Sequence, residues 1–165
     1  MNETVKETIL ALGLIGIIAL GGCTKAEETT AVQLPAPFHE VASEDIAANE
    51  TGIELNAPDS IAGLSDHTIL VFNDEKMVEV TYTNGDGTER AMIRKAAKEN
   101  YDSGDYSSYV MVEEITTAGG IVYTAYENDG KVYRGEWNDG SYVSGLMVDS
   151  GMEISDFSAV VDEIG

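Results

Sequence analysis

The side chains that could do covalent or acid–base chemistry in this sequence are few: one thiol, Cys23, and two imidazoles, His39 and His67. A serine or cysteine hydrolase needs its nucleophile within reach of a histidine that a carboxylate orients. No Gly-x-Ser-x-Gly turn occurs. His39 lies in a proline-bearing stretch, and His67 stands before a strand in Ser65-Asp66-His67. Glycoside hydrolysis takes a pair of carboxylates, but acidic residues are so numerous here that no pair stands out. One cysteine with two distant histidines builds no zinc site and no internal disulfide. Asp102-Ser103-Gly104-Asp105 and the Asn-Asp-Gly turns beginning at Asn128 and Asn138 supply oxygen ligands, yet none follows the EF-hand loop spacing. These residues predict a non-enzymatic protein with no cofactor and no dedicated metal site, and at most weak divalent-cation binding near Asp102 and Asp105.

Positive charge is concentrated in one place, Arg90, Arg94, Lys95 and Lys98. On a strand, Arg90 and Arg94 share a face while Lys95 points away. The group reads either as a small anion- or partner-binding patch or as internal neutralisation of surrounding Asp and Glu. Trp137 and Tyr133, an even number of positions apart on one candidate strand, could form a stacking surface or close a sheet core.

The balance of 30 acidic against 9 basic residues gives a net charge of −21. Such a charge repels nucleic acid phosphates, so no DNA or RNA partner is expected; cationic ligands, divalent ions or a salty medium are compatible with it. An apolar fraction of 43% excludes wholesale disorder.

Ile9 to Leu20 is an unbroken apolar run, followed by Gly21, Gly22 and Cys23. As a helix it would rise about 18 Å, short of a ~30 Å hydrocarbon core, which fits the apolar region of a signal peptide better than a membrane span. Leu20-Gly21-Gly22-Cys23 resembles the lipobox of bacterial lipoproteins. The resemblance implies cleavage between Gly22 and Cys23 and a diacylglyceryl group on the Cys23 thiol, so that residues 1–22 are a signal peptide. The membrane lipid reached through acylated Cys23 is then the first partner, and the chain sits at the extracytoplasmic face of the cell membrane. Glu3 and Glu7 beside Lys6 depart from the net-positive start of most export signals. The alternative is an uncleaved N-terminal anchor with an incidental cysteine, which also places the domain outside.

Residues 23–40, with Pro35 and Pro37 among Thr, Ala and Glu, read as a tether. Residues 41–165 then form a single α+β domain. A short helix is predicted after Ser43 as N-cap, with Gly52 beyond its end, then an extended segment Gly52–Pro58. Strands are predicted at Ile69–Phe72, Met77–Thr83, Thr88–Lys95, Tyr109–Thr116, Ile121–Glu127, Lys131–Trp137 and Ser141–Val148. Asn84-Gly85-Asp86-Gly87 makes a hairpin of the second and third, and the last three form a meander. Residues 91–99 have helical propensity, but the turn and the alternating Met77–Thr83 favour the hairpin. Ser155 is expected to cap a last helix, Asp156–Ile164, whose Phe157, Val160, Val161 and Ile164 recur at helical spacing. The expectation is an antiparallel sheet of six or seven strands with one or two helices.

From Gly52 onward, the ordered set Gly52–Pro58, Met77–Tyr82, Ile93-Arg94-Lys95, Ser103-Gly104-Asp105-Tyr106 with Tyr109, and Trp137–Tyr142 resembles the DUF4367-type family of uncharacterised extracytoplasmic domains. The resemblance implies a tethered domain with no catalytic residues to carry over, and marks Gly104, Asp105, Tyr106 and Trp137 as family-like positions. The stretch after Trp137 is poorer in aromatics than the family pattern. The function expected is a tethered binding or sensor module; the alternative is a lipid or lipoprotein carrier with an apolar cavity.

Overall fold

The computed structural model describes residues 38–165 except Asn73 and Glu75, within a unit that begins at Pro35. The lipobox-like stretch, with Gly22 and Cys23, lies outside the described residues. Eight antiparallel strands form one sheet: β1 (His39–Val41), β2 (Asp66–Phe72), β3 (Met77–Thr83), β4 (Arg90–Ala97), β5 (Met111–Thr116), β6 (Val122–Asn128), β7 (Lys131–Asn138) and β8 (Tyr142–Met152). Among the described residues two helices accompany the sheet, α1 (Glu44–Thr51) and α2 (Ile154–Ile164). The strand order is β1-β2-β3-β4-β8-β7-β6-β5. The α+β class is as the sequence predicts, with one strand more.

The added strand is β1. His39 and Glu40, expected to close the tether, and Val41, expected to open the domain, pair with Val71 to Ile69, and Phe38 packs its ring 5.0 Å from that of Phe72. Three residues are too few to show an alternation, so composition alone could not separate them from the prolines upstream. Helix α1 follows its signals: the Ser43 hydroxyl accepts from the Ile46 amide, and Gly52 ends the helix at φ 77°, where a side chain would be strained. Gly52–Pro58 joins no strand, but it buries Ile53 and Leu55, and its Pro58 carbonyl accepts from the Tyr82 hydroxyl at 2.7 Å. Helix α2 begins at Ile154, with Glu153 rather than Ser155 at the N-cap, because β8 runs on to Met152 and leads directly into the helix.

The core fills one face of the sheet. Val78, Val80 and Tyr82 of β3 lie opposite Lys95, Ile93 and Ala91 of β4, and all but Lys95 are buried. Phe157, Val161 and Ile164 of α2 are buried as well, and the ring of Phe157 stacks 5.7 Å from that of Tyr123. Gly135 makes the approach possible, since a Cβ there would stand 2.5 Å from Phe157 Cε1.

The second face is covered too, and topology is the reason. β4 sits in the middle of the sheet and β5 at its far edge, so residues 98–110 must cross over β8, β7 and β6. This strap lies over the charged residues of that face.

Candidate functional site

Under the strap, the pairing registers bring charged residues of four sequence regions into adjacent rows. One row runs Glu79, Arg94, Gly145, Glu136, Thr124 and Glu114 from β3 to β5. The next contains Thr81, Met92, Met147, Arg134, Tyr126 and Val112. Arg94 donates to Glu79 through Nε at 3.0 Å and through Nη2, while its Nη1 reaches the Asp102 carbonyl of the strap at 2.6 Å. Arg134 donates from Nη1 to the Ser103 hydroxyl at 3.2 Å and the Asp105 carbonyl at 3.0 Å, and ion-pairs with Asp105 and Glu136. Its guanidinium lies 3.6 Å from the centre of the Tyr126 ring. Two arginines from neighbouring rows therefore grip the strap, each already neutralised by a carboxylate of the sheet.

The strap is fitted to that grip. Gly104 has φ 69°, and a Cβ on it would stand 2.7 Å from Arg94 Nη1. Tyr101 lies over Gly145, where a Cβ would stand 2.0 Å from the phenol oxygen, and its hydroxyl donates to Glu136. Burial first, then the Glu136 charge, pushes the Tyr101 phenol far above its ordinary range. The Tyr109 phenol is pushed up to about 12 by burial and by its hydrogen bond to Asp105. Burial alone would raise Asp105, but hydrogen bonds from Tyr109 and Ser107 and the Arg134 charge hold its carboxyl below the usual range.

Each predicted site residue can now be placed. Arg90 and Arg94 do share the strap face, but Arg94 is consumed by Glu79 and the strap, and half-exposed Arg90 stands 3.8 Å from Asp149. Lys95 lies on the opposite face beside the Tyr142 ring, 3.8 Å from Asp139, and Lys98 is exposed. The four do not form one patch. Asp102 receives the Gly104 amide and the Tyr106 hydroxyl, so it and Asp105 are each engaged by separate partners. Among the described residues no cluster of three or more His, Cys, Asp or Glu is arranged to hold a metal. Gly104, Asp105 and Tyr106 belong to the strap, whereas Trp137 is buried on the other face, its indole donating to the Gly165 carbonyl at 3.3 Å. Tyr133 does not share that face. Against β6 the strand carries one extra residue, Tyr133, between Arg134 opposite Tyr126 and Val132 opposite Glu127, so Val132 and Trp137 both reach the core and Tyr133 turns toward Gly151.

Among the described residues, neither histidine is hydrogen-bonded to a hydroxyl or thiol. His39 meets Glu50 at 2.8 Å and His67 meets the Ser65 carbonyl at 3.3 Å. A cleft of about 200 Å³ at the strap margin is lined by Arg90, Gly104, Asp105, Tyr109, Tyr133 and Asp149. A second, of about 430 Å³, lies along the ends of β5 to β7 between Glu114, Glu136, Asp139, Trp137 and Gly165. Comparison with known proteins adds nothing to this geometry. No family model, curated protein or solved structure matches the chain.

Sequence reasoning missed Arg134, the most heavily engaged cation of the site, and Glu79 and Glu136 with it. Their signal was present as charged residues at alternate positions of strands otherwise predicted to be half-buried. Nothing in spacing revealed that the strap would cover them.

Proposed function

We propose that this chain is a lipid-anchored binding or sensor module at the extracytoplasmic face of the membrane. The observation that carries the reading is Leu20-Gly21-Gly22-Cys23 closing an apolar run too short to span, with the folded unit starting at Pro35. From Cys23 to Phe38 the chain can reach at most about 50 Å, so the domain works close to the bilayer. Two acyl chains suffice for stable anchoring. The acidic surface, −20 once Glu3, Glu7 and Lys6 are removed, keeps the domain from lying on anionic headgroups.

Two features support binding rather than catalysis or carriage. Arg94, Glu79, Arg134 and Asp105 are spent holding the strap, and among the described residues neither histidine is hydrogen-bonded to a hydroxyl or thiol. The face under α2 is filled by Phe157, Tyr123, Val132 and Val161, all at 1% exposure or less, which favours an outer surface as the binding region over an internal apolar cavity. The resemblance to DUF4367-type domains, carried by the segments quoted above, agrees with a tethered domain of this kind.

Fractionation of cells expressing the chain and its Cys23→Ala variant tests the anchor. The native chain is expected in the membrane fraction and the variant in the soluble extracytoplasmic fraction. Retention of the variant in the membrane would mean that the apolar segment itself is the anchor.

A further inference from the structure

The two edges of the sheet are built differently. β1 is three residues long and has α1 beside it, with His39 bonded to Glu50. β5 is six residues long, and among the described residues no strand lies beyond it. Its side chains are exposed on both faces: Met111 is 46% exposed and Val112 54%, with Val110 just before the strand at 89% and Val122 of the neighbouring strand at 52%. An exposed edge of this length with apolar side chains is a template for another strand. It is also held still at both ends. Asn128 accepts from the Val110 amide and donates to the Ser108 carbonyl where the strand begins, while Asp162 of α2 accepts from the Thr117 hydroxyl and the Gly119 amide where it turns.

Charge selects the occupant. Glu113 lies opposite Ala125 and faces the α2 side, while Glu114 lies opposite Thr124 and faces the strap side. Both faces of an added strand would therefore meet a carboxylate at mid-strand, with apolar positions toward the Val110 end. Glu114 also lines the cleft of about 430 Å³ at the ends of β5 to β7, together with Glu136 and Asp139. A second copy of this chain fits badly: antiparallel self-pairing about the strand centre sets Glu113 against Glu114 of the other copy, between molecules that each carry −21.

We propose that β5 is a docking edge for an extended polypeptide segment with two adjacent Lys or Arg residues flanked by β-branched residues, which joins the sheet as a ninth strand. The backbone pairing supplies affinity, the two basic side chains meet Glu113 and Glu114 on opposite faces, and the one that meets Glu114 enters the acidic cleft. This deepens the binding-module reading and rests on it, while its test reads β5 and not the anchor.

The test uses the full chain in zwitterionic detergent and the blocked peptide Thr-Val-Val-Lys-Lys-Val-Val-Thr, which reads alike in both directions and so samples either strand orientation. Saturable binding is expected, with amide shifts confined to β5, β6 and the cleft. The same peptide N-methylated at alternate residues keeps its charge but cannot pair, and should not bind. Glu113→Lys/Glu114→Lys should weaken binding roughly tenfold or more, whereas Glu89→Lys/Glu99→Lys, with the same change of net charge on exposed residues away from β5, should leave it within about twofold. Equal binding of the N-methylated peptide, equal loss in both reversal variants, shifts away from β5, no binding, or self-association of the full chain through β5 would each overturn the proposal.

Discussion

Arg134→Met is the most informative single substitution, because it keeps the stem's volume and removes only the charge and its hydrogen bonds. The Arg134 side chain is 12% exposed and that of its partner Asp105 is also 12% exposed. Removing one member of a buried ion pair costs about 3–5 kcal/mol, since the other is left buried and uncompensated. Here Asp105 keeps the Tyr109 hydroxyl and the Ser107 amide, and Glu136 keeps the Tyr101 and Tyr126 hydroxyls, which places the loss at the low end. The forfeited contact with the Tyr126 ring adds about 1 kcal/mol. The expectation is a loss of about 4 kcal/mol, or roughly 12–15 °C in Tm for a domain of this size. Urea unfolding followed through Trp137, the chain's one tryptophan and a buried one, reads this without a label. The midpoint should fall with the slope unchanged, and Asp105→Asn in the same chain should restore about 1 kcal/mol or more. A loss below about 0.5 kcal/mol, or strict additivity of the two changes, would refute the claim that this ion pair holds the strap.

Three further outcomes follow from the same geometry. Gly145→Ala drives a Cβ against the Tyr101 hydroxyl and should destabilise by about 1–3 kcal/mol, and Tyr101→Phe in the same chain should recover much of that; thermal melts of the two variants decide it. Glu127 is buried with Oε1 unpartnered, and burial together with the nearby Glu113 charge raises its carboxyl above the usual range. Its ionised form therefore costs stability above its folded pKa, and that cost fades as pH falls through the raised value toward the ordinary one. Glu127→Gln should thus gain about 1–2 kcal/mol at neutral pH and almost nothing in acid, checked by urea midpoints across pH. Asp105 has the opposite sign: its carboxyl is held low, so the stability it lends is full above the ordinary carboxylate pKa and is lost as pH falls through the lowered one, and Asp105→Asn should flatten the acid limb of the same titration.

Most of the fold could be read from local pattern. β3 spans Met77–Thr83, the residues its alternation marks, and Ser43 and Gly52 delimit α1 as caps do. The helical propensity of residues 91–99 gave way to the sheet, because β4 lies between β3 and β8 and buries Ala91, Met92, Ile93 and Ala96. Long-range consequences stayed hidden. No spacing rule says that β8 inserts beside β4, so none could foresee a strap over the second face, or that Arg94 and Arg134 would be taken up by it. The bulge at Tyr133 shows the same limit on a smaller scale: one residue inserted against β6 reverses the parity on which the shared face with Trp137 depended. The return strand after Asn84-Gly85-Asp86-Gly87 starts at Arg90 rather than Thr88, because the Asn84 and Asp86 side chains bond Thr88 and Glu89 and extend the turn.

Intact-mass and fragmentation analysis of the mature protein, taken from membranes of the producing cell, tests the central claim most directly. A first residue Cys23 bearing a thioether-linked diacylglycerol is the predicted result. A chain that still begins at Met1, or an unmodified Cys23 on membrane-bound protein, would contradict it.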